Sequence, residues 1–316
     1  MSRCTTLLGL LTGFLILAAG VLVAQAPPLP TVPRLQTLKL EVVSGDVPAY
    51  YSKTVDRDIA ASLAFRLDAC RSLYSEAQRP PVALAVLNAA DWQQATPWPY
   101  GMPHMGIEAP YVLVVPLTWQ GAPWFAGTRE RLATALGQQE VDRYVRLLAL
   151  HELGHVITFA IAGDKDWQAF SSRFPFWYGE LVVNYFAGGC YASRPDDAAF
   201  MRRGEVALAA IPRQKYTTLD DWDRLMTDID SSGRPYLMTE SGGLTFAAYQ
   251  GLTAEMANRL RDAGLTAPRM IQLLRQQRTR AGRQSTDDLL KDFAGAAPGW
   301  YDWLVRQGAV QASGRR

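Results

Sequence analysis

The sequence predicts an α+β protein, with a small mixed sheet in its N-terminal part and a mainly helical C-terminal part. Short apolar runs of strand length, bounded by Pro and Gly, occur only before residue 120. From Gly127 onward apolar residues recur at helical spacing, and no internal repeat or low-complexity tract points to another architecture. With 316 residues and 48% hydrophobic content, the chain can bury a large core.

In chain order, LQTLKLEVVSG (35–45) reads as the first strand. Residues 54–77 follow as a helix, with Ile59, Leu63, Leu67, Cys70 and Tyr74 at helical spacing, until the break QRPP. VALAVLN (82–88) reads as a buried strand, 91–106 as a loop rich in Pro, Gly and Trp, and 110–119 as a further strand. Helices are expected near 128–137, 139–162, 178–190, 196–210, 243–263, 267–279 and 285–293. This divides the folded chain into an N-terminal α+β subdomain, 35–162, and a helical C-terminal subdomain, 163–310.

Residues 1–26 combine Arg3, an uncharged and mostly apolar run, and the small-residue end Ala24-Gln25-Ala26, the pattern of a secretory signal peptide. Leu7 to Ala24 is also long enough to approach a bilayer span, and Pro27 sits badly after a cleavage site, so an uncleaved anchor is the rival reading. Either way the remainder is exported, to the periplasm or beyond, behind a Pro-rich linker at 27–34. Cys4 precedes the apolar run. Cys70 and Cys190 remain, and an oxidising compartment would let them pair, although two buried thiols fit as well. Charge is nearly balanced, 32 Lys+Arg against 30 Asp+Glu, and Arg275 to Arg283 reads as a solvated helix face. Nucleic acid is therefore not an expected partner.

The stretch RLLALHELGHVITFAIAG (146–163) contains two of the three histidines. Leu150, Leu153 and Ile157 form an apolar stripe with Val156 and Ala160 beside it, so the segment is a half-buried helix that Gly163 stops. His151 and His155 are then neighbours on one face, roughly 5–6 Å apart at Cβ. Two imidazoles at that separation can reach one Zn²⁺ at about 2.0 Å each. Glu152 lies about 100° further round the helix, beside such a metal and not on it, where a general base for a hydrolytic water belongs. A core helix that merely carries two histidines satisfies the same periodicity, and a catalytic zinc takes three protein ligands.

The candidate third ligand is Glu180, in FPFWYGELVVNYFAGG (174–189), with Asn184 one turn later on the same face. A carboxylate at the start of a helix is also what capping and the helix dipole call for. Glu180, however, is flanked by Trp177, Tyr178, Leu181, Val183 and Phe186, and an ionised carboxylate in such surroundings needs a partner of opposite charge. A metal would supply it.

HELGH, followed after 24 residues by the glutamate of WYGELVVNYF, resembles the gluzincin zinc metallopeptidases, and more narrowly the exported peptidase MA-like proteins, whose second helix reads W-x-x-E-x-x-x-x-Y. Trp177, Glu180 and Tyr185 match that pattern. The resemblance implies a thermolysin-like fold in which His151, His155 and Glu180 bind zinc and Glu152 activates water. It extends loosely over 35–304 and is specific only in the two helices. Leu181 replaces the usual glycine after the glutamate. Asn184 stands where an acid is common, so any support to a ligand histidine would come from an amide oxygen.

Such enzymes add a Tyr or His that stabilises the oxyanion. His104, Tyr236 and Tyr249 are the candidates, and the resemblance favours Tyr236, just ahead of a helix. His104 to Val115 would form the edge strand along which a peptide lies extended. Gly106-Ile107-Glu108-Ala109 only faintly resembles the amine-holding element of aminopeptidases, and a solvated Glu108 favours an endopeptidase. The expected function is hydrolysis of peptide bonds in a peptide or protein substrate by zinc-activated water with a glutamate general base. The alternative is a peptidase-fold binding or assembly module of the cell envelope that has lost turnover.

Overall fold

The structure, a computed structural model, describes residues 35–310 apart from 36–37, 76–78, 107–109, 121–122, 165–166 and 214. The export signal, the Pro-rich linker with Cys4 before it, and Glu108 lie outside the described residues.

The sheet-bearing part runs β1 (Glu41–Val43), β2 (Ala49–Tyr51), α1 (Arg57–Arg71), β3 (Val82–Leu87), α2 (Ala89–Ala95), β4 (His104–Met105) and β5 (Tyr111–Pro116). The strand order is β1-β2-β3-β5-β4; β2, β3 and β5 are mutually parallel and the two outer strands antiparallel. This is the small mixed sheet that the sequence predicts, with three local corrections. The strand expected over 35–45 is only Glu41–Val43, and it pairs with β2, which is too short for its pattern to show. The segment expected as a loop holds α2, started by Asn88, whose side chain accepts from the Asp91 amide at 2.9 Å. The expected edge strand from His104 to Val115 is instead a hairpin, because the chain reverses after Gly106, whose amide bonds the Val112 carbonyl at 2.7 Å. β5 is therefore paired on both sides, and the edge is the two-residue β4.

Strand alternation divides the sheet into two faces. Ala83, Ala85, Val112 and Val114 face Trp92 and Ala95 of α2 in a small separate core. Leu84, Val86, Leu113 and Val115 belong to the main core, which runs from Val47 to Ala309.

The remainder is helical: α3 (Ala126–Leu136), α4 (Val141–Leu147), α5 (Ala149–Ala162), α6 (Trp167–Ser171), α7 (Phe176–Ala192), α8 (Pro195–Ala209), α9 (Leu219–Thr227), α10 (Glu240–Asp262), α11 (Ala267–Arg278), α12 (Thr286–Ala296) and α13 (Trp300–Arg306). The single helix expected over 139–162 is divided at Leu148, where the backbone tightens to a Leu148-to-Val145 bond of 3.2 Å. The stretch Gln138–Ala162 is long and apolar enough to cross a membrane, but it is mostly buried inside the fold. Gly163 closes α5 in the left-handed region at φ 65°, as its position predicts.

Cys70 of α1 and Cys190 of α7 form a disulfide with Cα atoms 4.9 Å apart, across a sequence separation of 120. It ties the sheet-bearing part to the helix that carries Glu180. Closing a loop of that length restricts the unfolded chain by about 4–5 kcal/mol in the chain-entropy estimate. Replacing both cysteines with alanine is expected to lower the unfolding free energy by about 2–5 kcal/mol in guanidinium titrations. An unchanged midpoint would show that the bridge does not form.

Candidate metal centre

The crossing of α5 and α7 is set by Gly154. A Cβ at this position would lie 2.7 Å from the Val183 carbonyl oxygen, so only hydrogen fits there and the two backbones come into direct contact. The rotation of α7 is fixed by bonds along its length. The Phe176 amide donates to Asp223 Oδ1 at 2.8 Å, the Trp177 indole donates to Thr286 Oγ1 at 3.0 Å, and the Tyr185 hydroxyl donates to the Leu265 carbonyl. The Trp and Tyr of the second sequence pattern are thus anchors for the glutamate between them. α7 begins at Phe176, so Glu180 is beyond the unsatisfied amides of the first turn and does not cap the helix.

This geometry brings together the residues singled out in the sequence. Glu180 Oε2 is 3.3 Å from His151 Nε2, and Glu180 Oε1 is 3.7 Å from His155 Nε2. The three potential donor atoms all lie within 4.8 Å of one another, and Glu180 is only 3% exposed. Two imidazole nitrogens and a carboxylate oxygen converging on one point fit a zinc site with an open position. The outward nitrogen of His151 is also held: Nδ1 lies 2.9 Å from Asn184 Oδ1, the amide support expected from the sequence.

α10 adds two residues that sequence reasoning missed. Gln250 Nε2 donates to Glu180 Oε2 at 3.1 Å, and Thr253 Oγ1 accepts from Asn184 Nδ2 at 3.0 Å. The available signal was a pair of polar side chains three residues apart on an otherwise apolar helix face.

Burial and charge shape the protonation of the protein groups alone. Burial pushes the Glu152 carboxyl up to about 7, with His151 opposing and the Glu180 charge reinforcing. Burial by itself would lower His151, but the hydrogen bond and charge of Glu180, helped by Glu152 and Asn184, push it up to about 9. Burial pulls His155 down to about 4, with Glu180 opposing and His151 reinforcing. Glu180 is held below the usual carboxylate range, since His155, His151 and Gln250 outweigh its burial. Glu152 is 8% exposed, and its carboxylate has no hydrogen-bond partner among the described residues.

The three candidate oxyanion donors separate clearly. His104 uses both nitrogens, Nε2 with Thr96 Oγ1 at 3.1 Å and Nδ1 with the Met102 carbonyl at 3.0 Å. It pairs with Val114 and packs on Trp92 at 5.2 Å, so it belongs to the core on the sheet face away from α5. Tyr249 is fully buried, and its hydroxyl is committed to the Thr218 carbonyl. Tyr236 stands in a 3₁₀ turn, Tyr236–Met238, just ahead of α10. Its ring packs on Tyr216 at 5.4 Å under the Lys215 ammonium at 4.8 Å, and its hydroxyl makes no hydrogen bond among the described residues. No contact joins Tyr236 to the histidines or to Glu180 among the described residues.

Comparison of the chain with protein-family models, with curated proteins and with solved structures finds no match.

The Glu152 carboxyl has a measurable cost. Its proton is retained up to about 7 in the folded chain but leaves near the ordinary 4.5 in the unfolded one, so its contribution to stability falls as pH rises through that window. In chelator-treated protein, Glu152→Gln is expected to gain on wild type between pH 4.5 and 7. The advantage should level off at about 3–4 kcal/mol above that window. Urea titrations at pH 5 and pH 8 read this directly, and a difference independent of pH would show that Glu152 ionises freely in the fold.

Proposed function

We propose that the chain is an exported zinc-dependent metallopeptidase with a gluzincin-like, thermolysin-like fold, acting as an endopeptidase. The observation that carries this reading is a buried carboxylate, Glu152, left without a partner beside three convergent donors, His151, His155 and Glu180. A structural ion pair needs no such group, and folding does not favour one.

His151, His155 and Glu180 would hold a zinc ion, and the chemistry it would supply is Lewis acidity toward a water molecule and the scissile carbonyl. Glu152, buried beside the three donors with no hydrogen-bond partner among the described residues, would accept the proton of the attacking water and deliver it to the leaving amine. The unengaged hydroxyl of Tyr236 is the proposed donor to the oxyanion. β4, the antiparallel edge packed against α5, offers main-chain groups to an extended peptide. The Cys70–Cys190 bridge supports an oxidising compartment and so the export reading.

The two departures from the family pattern are accommodated. Leu181 is fully buried in the core, and Asn184 fulfils the acceptor role with an amide oxygen. Neither gives a reason for lost turnover.

Metal analysis and a mixed peptide library read by mass spectrometry test the proposal. Wild type is expected to hold about one zinc per chain. Glu180→Ala should lose it. Glu152→Gln should keep zinc and fold while losing hydrolysis by at least about a hundredfold, and Tyr236→Phe should act more mildly. Equal cleavage by wild type and Glu152→Gln refutes the mechanism. If both hold zinc and neither cleaves any peptide, the binding-module reading takes its place.

A further inference from the structure

We propose that Thr253 is a positioning residue that determines, through Asn184, which nitrogen of His151 is left to bind a metal. The inference deepens the metal reading of this site and rests on that reading for its affinity arm only.

A hydroxyl has one proton to give. Thr253 Oγ1 lies 3.0 Å from the Tyr249 carbonyl and 3.1 Å from the Gln250 carbonyl, one turn back on α10, and a carbonyl can only accept. The Thr253 proton is therefore committed to the helix, and its oxygen can serve Asn184 only as an acceptor. Thr253 is fully buried, so no solvent competes for that oxygen. The partner on Asn184 must be the amide NH₂, at 3.0 Å. Once Nδ2 is turned to Thr253, Oδ1 is turned to His151 Nδ1 at 2.9 Å. An oxygen at that distance needs a proton on the nitrogen it faces, so Nδ1 carries hydrogen and Nε2, aimed at Glu180 and His155, is the nitrogen free to ligate.

The constraint matters because residue 184 is an asparagine. A carboxylate has two acceptor oxygens and would hold an Nδ1 proton whichever way it turned. An amide has a wrong way round: with NH₂ towards His151 it would favour a bare Nδ1 and a protonated Nε2, closing the imidazole to a metal. Thr253 supplies the choice of direction that the amide lacks.

The test uses the whole exported domain with ¹⁵N-labelled histidine. Only three histidines need assignment, and His104 serves as an internal standard on the opposite sheet face. With His151 in its neutral form, in zinc-loaded protein or at a pH high enough to remove the second proton, wild type and Thr253→Ser are expected to show a slowly exchanging proton on His151 Nδ1. Thr253→Val, which keeps the shape and loses the acceptor, should lose that signal and bind zinc about 10–100-fold more weakly in chelator competition. Thr253→Ala serves in its place if the valine variant does not fold. In an Asn184→Asp background the same Thr253→Val change should cost less than about 3-fold and leave the Nδ1 proton visible, since a carboxylate needs no directing. An unchanged Nδ1 signal in Thr253→Val overturns the proposal. So does an equal loss in both backgrounds, which would mean that Thr253 only packs. Failure of wild type to take up zinc would sink the metal reading instead, and the Nδ1 signal, read at a pH high enough for the His151 ring to be neutral, would still decide the role of Thr253.

Discussion

The contact between Gly154 and the Val183 carbonyl is the constraint on which the rest of the centre depends. Ordinary side chains hold helix axes about 8–10 Å apart, and a glycine at the crossing lets the two backbones touch, which shortens the span that the donor side chains must bridge. The glycine between the two histidines removes the one side chain that would stand in the way. Its position in HELGH is therefore part of the geometry. With the backbones in contact, the Glu180 carboxylate lies within 3.7 Å of both imidazoles, and Asn184, one turn further along α7, meets His151 from behind.

Close approach also buries everything it brings together, and that sets the second requirement. Glu180, His151 and Glu152 are each less than a tenth exposed, so any polar atom left without a partner carries its full desolvation penalty. α10 supplies one direct partner and the groups that stand behind the others. Gln250 holds Glu180, Thr253 holds Asn184, and Arg261 reaches over Gly188 to the Asn184 and Tyr185 carbonyls at 3.3 and 3.0 Å. α10 is in turn pressed against α8 at Gly251, where a Cβ would lie 2.2 Å from the Ala209 nitrogen. Only the Glu152 carboxylate stands outside this network. The fold partners the groups around Glu152 and leaves that acid without a hydrogen bond among the described residues, where proton transfer is proposed to occur.

Much of this could be read from the sequence, and what could not has a physical explanation. Long helices such as α5, α7 and α10 bury a continuous face, so their periodicity shows at a glance; short elements do not repeat often enough. β2 has three residues and β4 two, and α9 is one capping box, Thr218 with Asp221, followed by two turns anchored on Trp222. The helix over 139–162 looked continuous because its break at Leu148 leaves the apolar pattern unchanged. His151, His155, Glu152 and Glu180 were legible because their spacing within a helix, or their apolar flanks, marked them. Gln250 and Thr253 were not assigned, since a pair of polar side chains on an apolar helix face marks them but does not say how α10 lies across α7, which is a tertiary relation. The capping reading of Glu180 failed for a small reason, a helix start two residues earlier than expected.

The order in which these groups occur along the chain has a thermodynamic consequence. His151 and His155 share a helix, but Glu180 lies beyond a break, and Gln250 and Thr253 are a further helix pair away. Folding alone assembles the set. A cation that binds it therefore binds the native chain and not the unfolded one, so its binding free energy adds to stability by mass action. The same assembly makes the metal-free protein hold an ion pair, His151 pushed up and Glu180 held down, with a destabilised Glu152 beside it. The disulfide between α1 and α7 acts independently of this chemistry, because it restricts the unfolded chain without touching the donors. It anchors the helix that carries Glu180 from its far end. The bridge and the donor set thus act at opposite ends of α7, one on the unfolded chain and the other on the geometry of the folded site.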